Sequence, residues 1–282
     1  MRVAIIIAPP HLSKFKELTS AYSTRMRVAA EEHRAHEATT DALTIFQIAR
    51  ALEEEPLLIS HLVRYAVVAV GCQGLDRALN LVEFPAGDLV ELQNALGRME
   101  QLTRMDVALT GELASGLDAF GRGPDVQLLA GLTDNGQPHP ALGVGMRLYG
   151  ALGFLKSEQA TLARMLSEMI RIGRLPSWEQ HAPLAAWEQE VQRMRSKPRL
   201  GSLLSPMLLP ALVNASQKEW TYLANVRCAV VGVAIERYRL DHDKKSPETL
   251  EALVTGKPRV ANTFPRSVKN QIPISSCPIM KT

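Results

Sequence analysis

Apolar residues recur three and four positions apart through most of this sequence, and outside the first ten residues almost no stretch alternates apolar with polar side chains. The first spacing places side chains on one face of an α-helix, whereas alternation would indicate β-strands. Ala, Leu and Glu favour helices and are abundant here, while aromatic residues make up only 5%. We therefore predict an all-α fold: an irregular helical bundle or stacked helical hairpins, with roughly seven to nine helices.

The N-terminal half contains the longest apolar stripes. A first helix is predicted over residues 12–54, with a break near Ser23 and Thr24. Pro56 then suits the first position of a second helix, because that position needs no backbone N–H. The expected buried face of this second helix consists of Leu57, Ile59, Leu62, Val63, Ala66, Val67 and Val70.

A third helix is predicted over residues 86–120, followed by a stretch rich in Gly and Pro over 121–140 that indicates a long loop. Helical spacing resumes over 141–172 and continues to about residue 194. Pro206 and Pro210 predict a kinked lead-in to a last long helix over 216–241, because proline disrupts a helix interior. The predicted division is an N-terminal helical region over residues 1–120, the loop 121–140, a C-terminal helical region over residues 141–254 packed on the first, and a poorly ordered tail 255–282.

Charge and length limit the classes of partner. The net charge of +3 is too small to indicate a nucleic-acid partner. The most apolar long run, "PLLISHLVRYAVVAVG", is interrupted by His61 and Arg64 and falls short of the about 20 apolar residues that cross a bilayer. No membrane span is predicted, and the chain as written is expected to be cytoplasmic. The predicted tail is basic, with no acid after Glu251, and carries Lys257, Arg259, Arg266, Lys269 and Lys281.

The three cysteines stand at wide, irregular spacings, and no CxxC pair is present. A zinc ribbon or a thioredoxin-like motif is therefore excluded, and the chain is not expected to depend on disulfides. Cys72 and Cys228 lie in apolar helical surroundings, which predicts small core residues.

The segment "EEHRAHE" is the candidate metal site. His33 and His36 are three positions apart, with Glu32 and Glu37 outside them, so on a continuous helix they would share a face and could ligate one metal ion. The zincin pattern, which has histidines four apart and a glutamate after the first, is missing. The favoured interpretation is a solvated helix face crossed by Glu–Arg pairs.

The segment "YRLDHDKKSPETLEALV" combines Asp241, His242 and Asp243 in three consecutive positions. Adjacent residues point in different directions on any regular element, so three neighbours rarely converge on one ion. Ser246 suits an N-cap and is followed by a proline, which predicts a short helix directly after it. A junction between two helices is favoured over an acid–base or metal site.

Other nucleophile and phosphate motifs are absent. "GVGMRLYG" brings Gly143, Gly145 and Gly150 together, but a dinucleotide-binding loop needs a preceding strand and a closer third glycine. No serine stands in a GxSxG context. No cofactor is predicted.

Two resemblances add expectations. The segments 208–254, 49–70 and 110–116 resemble a group of uncharacterised helical proteins of planctomycete- and verrucomicrobia-type bacteria, which carry no activity to transfer. The shorter piece "AIERYRLDHDKKSPETLEALV" is similar to the pseudopilins of type II secretion, where a long helix ends in a Tyr- and Asp-rich turn. That resemblance implies a membrane-anchored N-terminal helix and an envelope-associated protein.

The sequence therefore favours a non-catalytic helical scaffold or protein-interaction protein with a protein partner. Apolar stripes are abundant and no convergent catalytic set stands out. A metal-dependent helical-bundle enzyme that uses His33, His36 and the neighbouring carboxylates is the alternative, and a pseudopilin-like secretion component is the third. A groove between stacked helices is the expected binding surface.

Overall fold

A computed structural model describes residues 9–101, 105–121, 145, 148–176 and 178–255. Within these residues the backbone forms ten helices and no β-strand, which confirms the predicted all-α class. In chain order the helices are α1 His11–Glu31, α2 Ala35–Arg50, α3 Leu58–Leu81, α4 Ala86–Gln101, α5 Met105–Gly121, α6 Phe154–Gly173, α7 His181–Ser196, α8 Ser205–Leu208, α9 Pro210–Asp241 and α10 Glu251–Thr255.

The chain divides into two compact units that are interleaved in sequence. Unit 1 comprises Met1–Pro10, Glu54–Leu62 and Arg104–Lys218. Unit 2 comprises His11–Glu53, Val63–Thr103 and Glu219–Thr282. The predicted boundary at 121–140 and the tail after 255 lie, except for Gly121, outside the described residues, and the predicted domain division stays a prediction.

In unit 2, α1 and α2 form a packed antiparallel hairpin, and α2 packs on α4. Gly74 of α3 lies directly under the methyl group of Met26 on α1, so a Cβ at this position would overlap it. This glycine allows α1 and α3 to approach closely, which brings one face of each helix to a shared cleft.

In unit 1, α5 packs along α6, and α6 contacts both α7 and the short α8. The backbone of Gly111 on α5 approaches the carbonyl group of Pro56 so closely that a Cβ at position 111 would overlap the carbonyl oxygen. The buried Trp187 on α7 donates its indole N–H to the carbonyl oxygen of Met165 at 3.0 Å, which fixes α7 against α6.

On α4 and α9 the buried apolar side chains recur mainly three and four positions apart, as the spacing in the sequence predicts for helices. On α4 the buried side chains include Leu89, Leu92, Leu96 and Met99. On α9 they include Leu223, Val226, Val230, Val233 and Ala234. Val231 and Ala234 form a small core with Leu253 of α10.

The break predicted near Ser23 and Thr24 in the helix over 12–54 is at the wrong position. The chain forms two helices, and the break falls at residues 32–34, while α1 continues through Ser23 and Thr24. His33 adopts a left-handed conformation with φ 58° at the turn. No Gly or Pro marks this turn, so the local sequence carries none of the signals that usually end a helix.

Other helix bounds also differ from prediction. The helix expected from Pro56 begins at Leu58, and residues 86–120 contain two helices, α4 and α5. The last long helix begins at Pro210, six positions earlier than predicted, with proline at a first-turn position that requires no N–H donor. On α3, Ile59 and Ala66 of the predicted buried face are exposed.

Candidate functional site

The predicted metal residues lie around the α1–α2 turn. His33 occupies the left-handed turn position, so it does not share a helix face with His36. Glu32 and Glu37 both form ion pairs with Arg34, which holds the two carboxylates at the surface of the turn. The predicted Glu–Arg pairing is thus present, at a turn and not along a helix face.

His36 reaches across to α4. Its Nδ1 atom lies 3.3 Å from each carboxylate oxygen of Asp88, and Thr39 donates its hydroxyl to the same carboxylate at 3.1 Å. Among the described residues no group of three or more His, Cys, Asp or Glu side chains is arranged to hold a metal ion. The metal assignment at Glu32, His33, His36 and Glu37 stays a prediction.

The Asp241–Asp243 segment forms the C-terminal cap of α9. Asp243 and Lys244 adopt left-handed conformations, and the Lys244 N–H donates to the carbonyl oxygen of Arg239 at 2.8 Å. His242 stacks on Tyr238 with ring centroids 3.8 Å apart, and its Nδ1 atom lies 2.9 Å from the Tyr238 carbonyl oxygen. The predicted helix junction is therefore present. The predicted N-cap at Ser246 is wrong, because α10 begins only at Glu251.

Unit 2 has a groove between α1 and α3, which we call the α1–α3 groove. It consists of two adjoining cavities of about 250 and 90 Å³ that share Ser23, Thr24 and Val70. The α1 side is Lys16, Thr19, Ser20, Ser23, Thr24 and Arg27, and the α3 side is Ala66, Val67, Val70, Gln73, Gly74 and Arg77. On both helices these positions follow helical spacing, so each helix presents one continuous face.

Ala66, Val67 and Val70 make the larger cavity mainly apolar, whereas the smaller cavity has a mainly polar lining, and hydroxyl groups line the α1 side of both. Thr19 and Thr24 donate their hydroxyls to carbonyl oxygens within α1, at 2.7 and 3.0 Å. These hydrogen bonds satisfy the hydroxyl donors inside the helix and leave the threonine methyl groups available to the cleft. Lys16 lies near one end of the groove, and Arg27 and Arg77 lie near the other.

Unit 2 also contains a buried cluster of ionisable side chains. Arg64 is fully buried, with its guanidinium carbon 5.7 Å from the ring centroid of Tyr222. Burial, together with the nearby charge of Glu219, raises the pKa of Tyr65, and burial also raises the pKa of Tyr222. Both phenols therefore stay protonated at neutral pH and act as hydrogen-bond donors instead of general bases.

Cys72 lies in the same interior. Burial raises the pKa of its thiol to about 12, so the reactive thiolate is not populated at neutral pH. The prediction of a buried, small core residue is confirmed for Cys72. Cys228 is half-buried.

A buried carboxylate, that of Glu158, connects distant segments of unit 1. Glu158 on α6 accepts hydrogen bonds from the backbone N–H groups of Leu203, Leu204 and Ser205 at 2.5, 2.9 and 2.9 Å, and from the Ser205 hydroxyl at 2.6 Å. Tyr149 donates its phenol to the same carboxylate at 2.7 Å. Burial raises the pKa of Glu158, but these hydrogen bonds outweigh burial and bring the pKa below its ordinary value.

One described helix, α3, is long and apolar enough by length and composition to cross a membrane, and more than half of its apolar window is buried in the folded chain. Core helices of water-soluble proteins meet the same criterion. The buried Ser60, His61 and Arg64 lie along this helix. The prediction that this segment does not span a membrane stays a prediction.

No family model matches the sequence, and neither a curated protein nor a solved structure shows a match. The resemblances to the bacterial helical group and to the pseudopilins therefore stay predictions, as do the predicted partner and location.

Proposed function

We propose that this chain is a protein-interaction protein that binds an acidic, amphipathic helix of another polypeptide in the α1–α3 groove. The observation that carries the proposal is the groove itself: two helices each contribute one continuous face to a cleft that is apolar along Ala66, Val67 and Val70 and basic at both ends. Helix-in-groove docking uses such a surface, since the apolar face of the incoming helix replaces water along the floor.

The dimensions of the groove indicate the length of the bound segment. Lys16 and Arg27 are eleven positions apart on α1, which corresponds to a rise of about 16 Å, or three helical turns. A helix of three turns presents apolar residues at positions i, i+3 or i+4, and i+7 to one side. A bound helix of this kind would place its apolar residues along Ala66, Val67 and Val70.

The charges at the groove ends favour acidic residues in the partner. Arg77 is exposed, and Lys16 is exposed near the opposite end. Arg27 forms only a long 3.8 Å ion pair with Glu31, and both of these side chains are more than half exposed. Basic groups at both ends of an apolar floor increase the association rate of an acidic segment and disfavour a basic one.

The experiment is a selection of displayed twelve-residue peptides on the full chain, followed by affinity measurement of the selected peptides. We expect the selected peptides to combine apolar residues at helical spacing with acidic residues near both ends. Ala66→Trp fills the groove from its exposed rim and should weaken binding at least about tenfold, since a single well-placed contact is worth more than 1 kcal/mol.

Ala186→Trp is the matched control, because Ala186 is an exposed alanine on α7 in unit 1. The control should bind the selected peptides with unchanged affinity. Selection of no helical peptide, or equal affinity in both tryptophan variants, would contradict the proposal.

A further inference from the structure

Unit 1 exposes several large apolar side chains in two short segments. Leu148 and Leu152 are 60% and 63% exposed, Leu200 is 70% exposed, and Leu203 and Met207 are 37% and 60% exposed. Single exposed apolar residues are common on protein surfaces, whereas a cluster of them usually marks a binding surface. We call these five residues the unit 1 apolar patch.

The two segments of the patch are held together by defined contacts. The N–H of Gly201 donates to the Tyr149 phenol oxygen at 2.8 Å, and the Tyr149 phenol in turn donates to Glu158. Glu158 also accepts the N–H of Leu203 at 2.5 Å. These hydrogen bonds place Leu148, next to Tyr149, beside the segment that carries Leu200 and Leu203. The buried network fixes the backbone while the leucine side chains project outward.

Leu200 lies at the tip of a tight turn. The N–H of Ser202 donates to the carbonyl oxygen of Arg199 at 2.9 Å, and Gly201 adopts φ 83°. A positive φ at the third residue of a four-residue turn requires glycine or a residue that tolerates it. The turn therefore presents a leucine on a convex tip, supported from beneath by the Glu158 network.

The sequence that flanks the patch is basic. The sequence has no Asp or Glu between Glu190 and Glu219, and Glu158, which lies close to the other segment, is buried and engaged by hydrogen bonds. Exposed basic side chains lie close in sequence to both segments of the patch: Lys156 follows Leu152 by four positions, and Arg195, Lys197 and Arg199 precede Leu200 by five, three and one.

We propose that the unit 1 apolar patch docks on an anionic phospholipid bilayer. Leucine and methionine side chains would enter the interface, and the flanking lysine and arginine side chains would contact lipid phosphates. A bilayer is favoured over a protein groove because Leu200 projects from a convex turn tip, and a lipid interface needs no pocket of matching shape. This proposal is independent of the α1–α3 groove, which lies in unit 2.

The test is co-sedimentation of the full chain with vesicles of phosphatidylcholine alone or with about 30% phosphatidylglycerol. We expect binding to the anionic vesicles at low salt, weak binding to the neutral ones, and release as salt rises and screens the charges. The variant Arg195→Gln/Lys197→Gln/Arg199→Gln should lower the partition coefficient about 100-fold, at about fivefold for each basic residue. Leu152→Ser/Leu200→Ser should lower it at least about tenfold.

Matched controls separate the patch from general charge and apolarity. Arg50→Gln/Arg98→Gln/Lys245→Gln removes the same charge from exposed positions of unit 2 outside the α1–α3 groove and should leave vesicle binding unchanged. Leu18→Ser/Leu240→Ser alters two exposed leucines of unit 2, and should also leave it unchanged.

Three outcomes would overturn the proposal. The first is no binding to anionic vesicles, and the second is equal binding to neutral and anionic vesicles. The third is equal losses in the patch variants and their controls. If anionic vesicles are not bound while the Leu152→Ser/Leu200→Ser variant alone loses a co-purifying protein, the patch is a protein interface and the lipid proposal fails.

Discussion

The phenol of Tyr222 on α9 donates a hydrogen bond of 2.6 Å to the backbone carbonyl oxygen of Met99 on α4. Both groups are buried, and the bond joins two helices of unit 2 that are 123 positions apart in sequence. The Tyr222 ring also lies 4.7 Å from the ring of Tyr65, so the phenol anchors an aromatic pair as well as a carbonyl group.

Replacing Tyr222 with phenylalanine should lower the free energy of unfolding by about 1 to 2 kcal/mol, because the Met99 carbonyl group loses its buried donor. Chemical denaturation followed by circular dichroism measures the change. Tyr22→Phe is the control, since the Tyr22 ring contacts Arg25 through its face and that contact does not require the hydroxyl. A loss of equal size in both variants would contradict the assigned role of the bond.

Alanine substitutions at two helical glycines should change the free energy of unfolding in opposite directions. Gly111→Ala places a Cβ against the carbonyl oxygen of Pro56, so we expect a loss of more than about 2 kcal/mol from overpacking. Gly97→Ala meets no atom within 4 Å and should stabilise the protein by about 0.5 to 1 kcal/mol, because alanine has the higher helix propensity. Thermal unfolding distinguishes the two signs.

Glu158→Gln should destabilise the protein by about 3 kcal/mol at neutral pH, because a charged acceptor of backbone N–H groups is replaced by an amide that brings its own donors. Glu168→Gln on the same helix is the control. The Glu168 carboxylate pairs with Arg171 at the surface. Glu168→Gln should therefore lower the free energy of unfolding by less than about 1 kcal/mol.

The Glu158 effect should also depend on pH. Its pKa is lowered in the folded protein, so its stabilisation is present above the unfolded pKa of about 4.3 and is lost as pH falls through the folded pKa. The stability difference between the wild-type protein and Glu158→Gln should therefore shrink below about pH 4. A difference that stays constant between pH 7 and pH 3 would contradict the lowered pKa.

Cys72 should resist alkylation in the folded protein. Burial raises its thiol pKa to about 12, so iodoacetamide at pH 8 should label Cys72 only after denaturation. Mass spectrometry of the labelled peptides measures the extent at each cysteine. Fast labelling of Cys72 under native conditions would show that the unit 2 interior is open to solvent.

Helical periodicity predicted the fold class and the buried faces of α4 and α9, because these helices bury a single stripe of side chains. It failed at residues 32–34, where the turn depends on His33 in a left-handed conformation and on the ion pairs of Arg34. It also failed at Ala66, which periodicity assigned to the core. Ala66 instead lines the α1–α3 groove. Periodicity could not predict this, because the relative placement of two helices is not encoded in the period of either one.

The buried polar groups were missed for a related reason. Glu158 follows Leu155 by three positions and precedes Leu162 by four, so it lies on the apolar stripe of α6. Arg64 similarly precedes the buried Val67 and Val68 of α3 by three and four positions. A charged residue on an apolar stripe is a usable signal of a buried hydrogen-bond network. Its partners at 203–205 could not be predicted from sequence, because they come from a distant segment.

The most direct test of groove binding is photocrosslinking inside cells that make this protein. A photoreactive benzoylphenylalanine is placed at Ala66 in the α1–α3 groove or at Ala186 on α7, and crosslinked peptides are identified by mass spectrometry. We predict that position 66, but not position 186, captures a segment with apolar residues at helical spacing and acidic flanks. Crosslinked products that are absent at position 66, or identical at both positions, would contradict the proposed function.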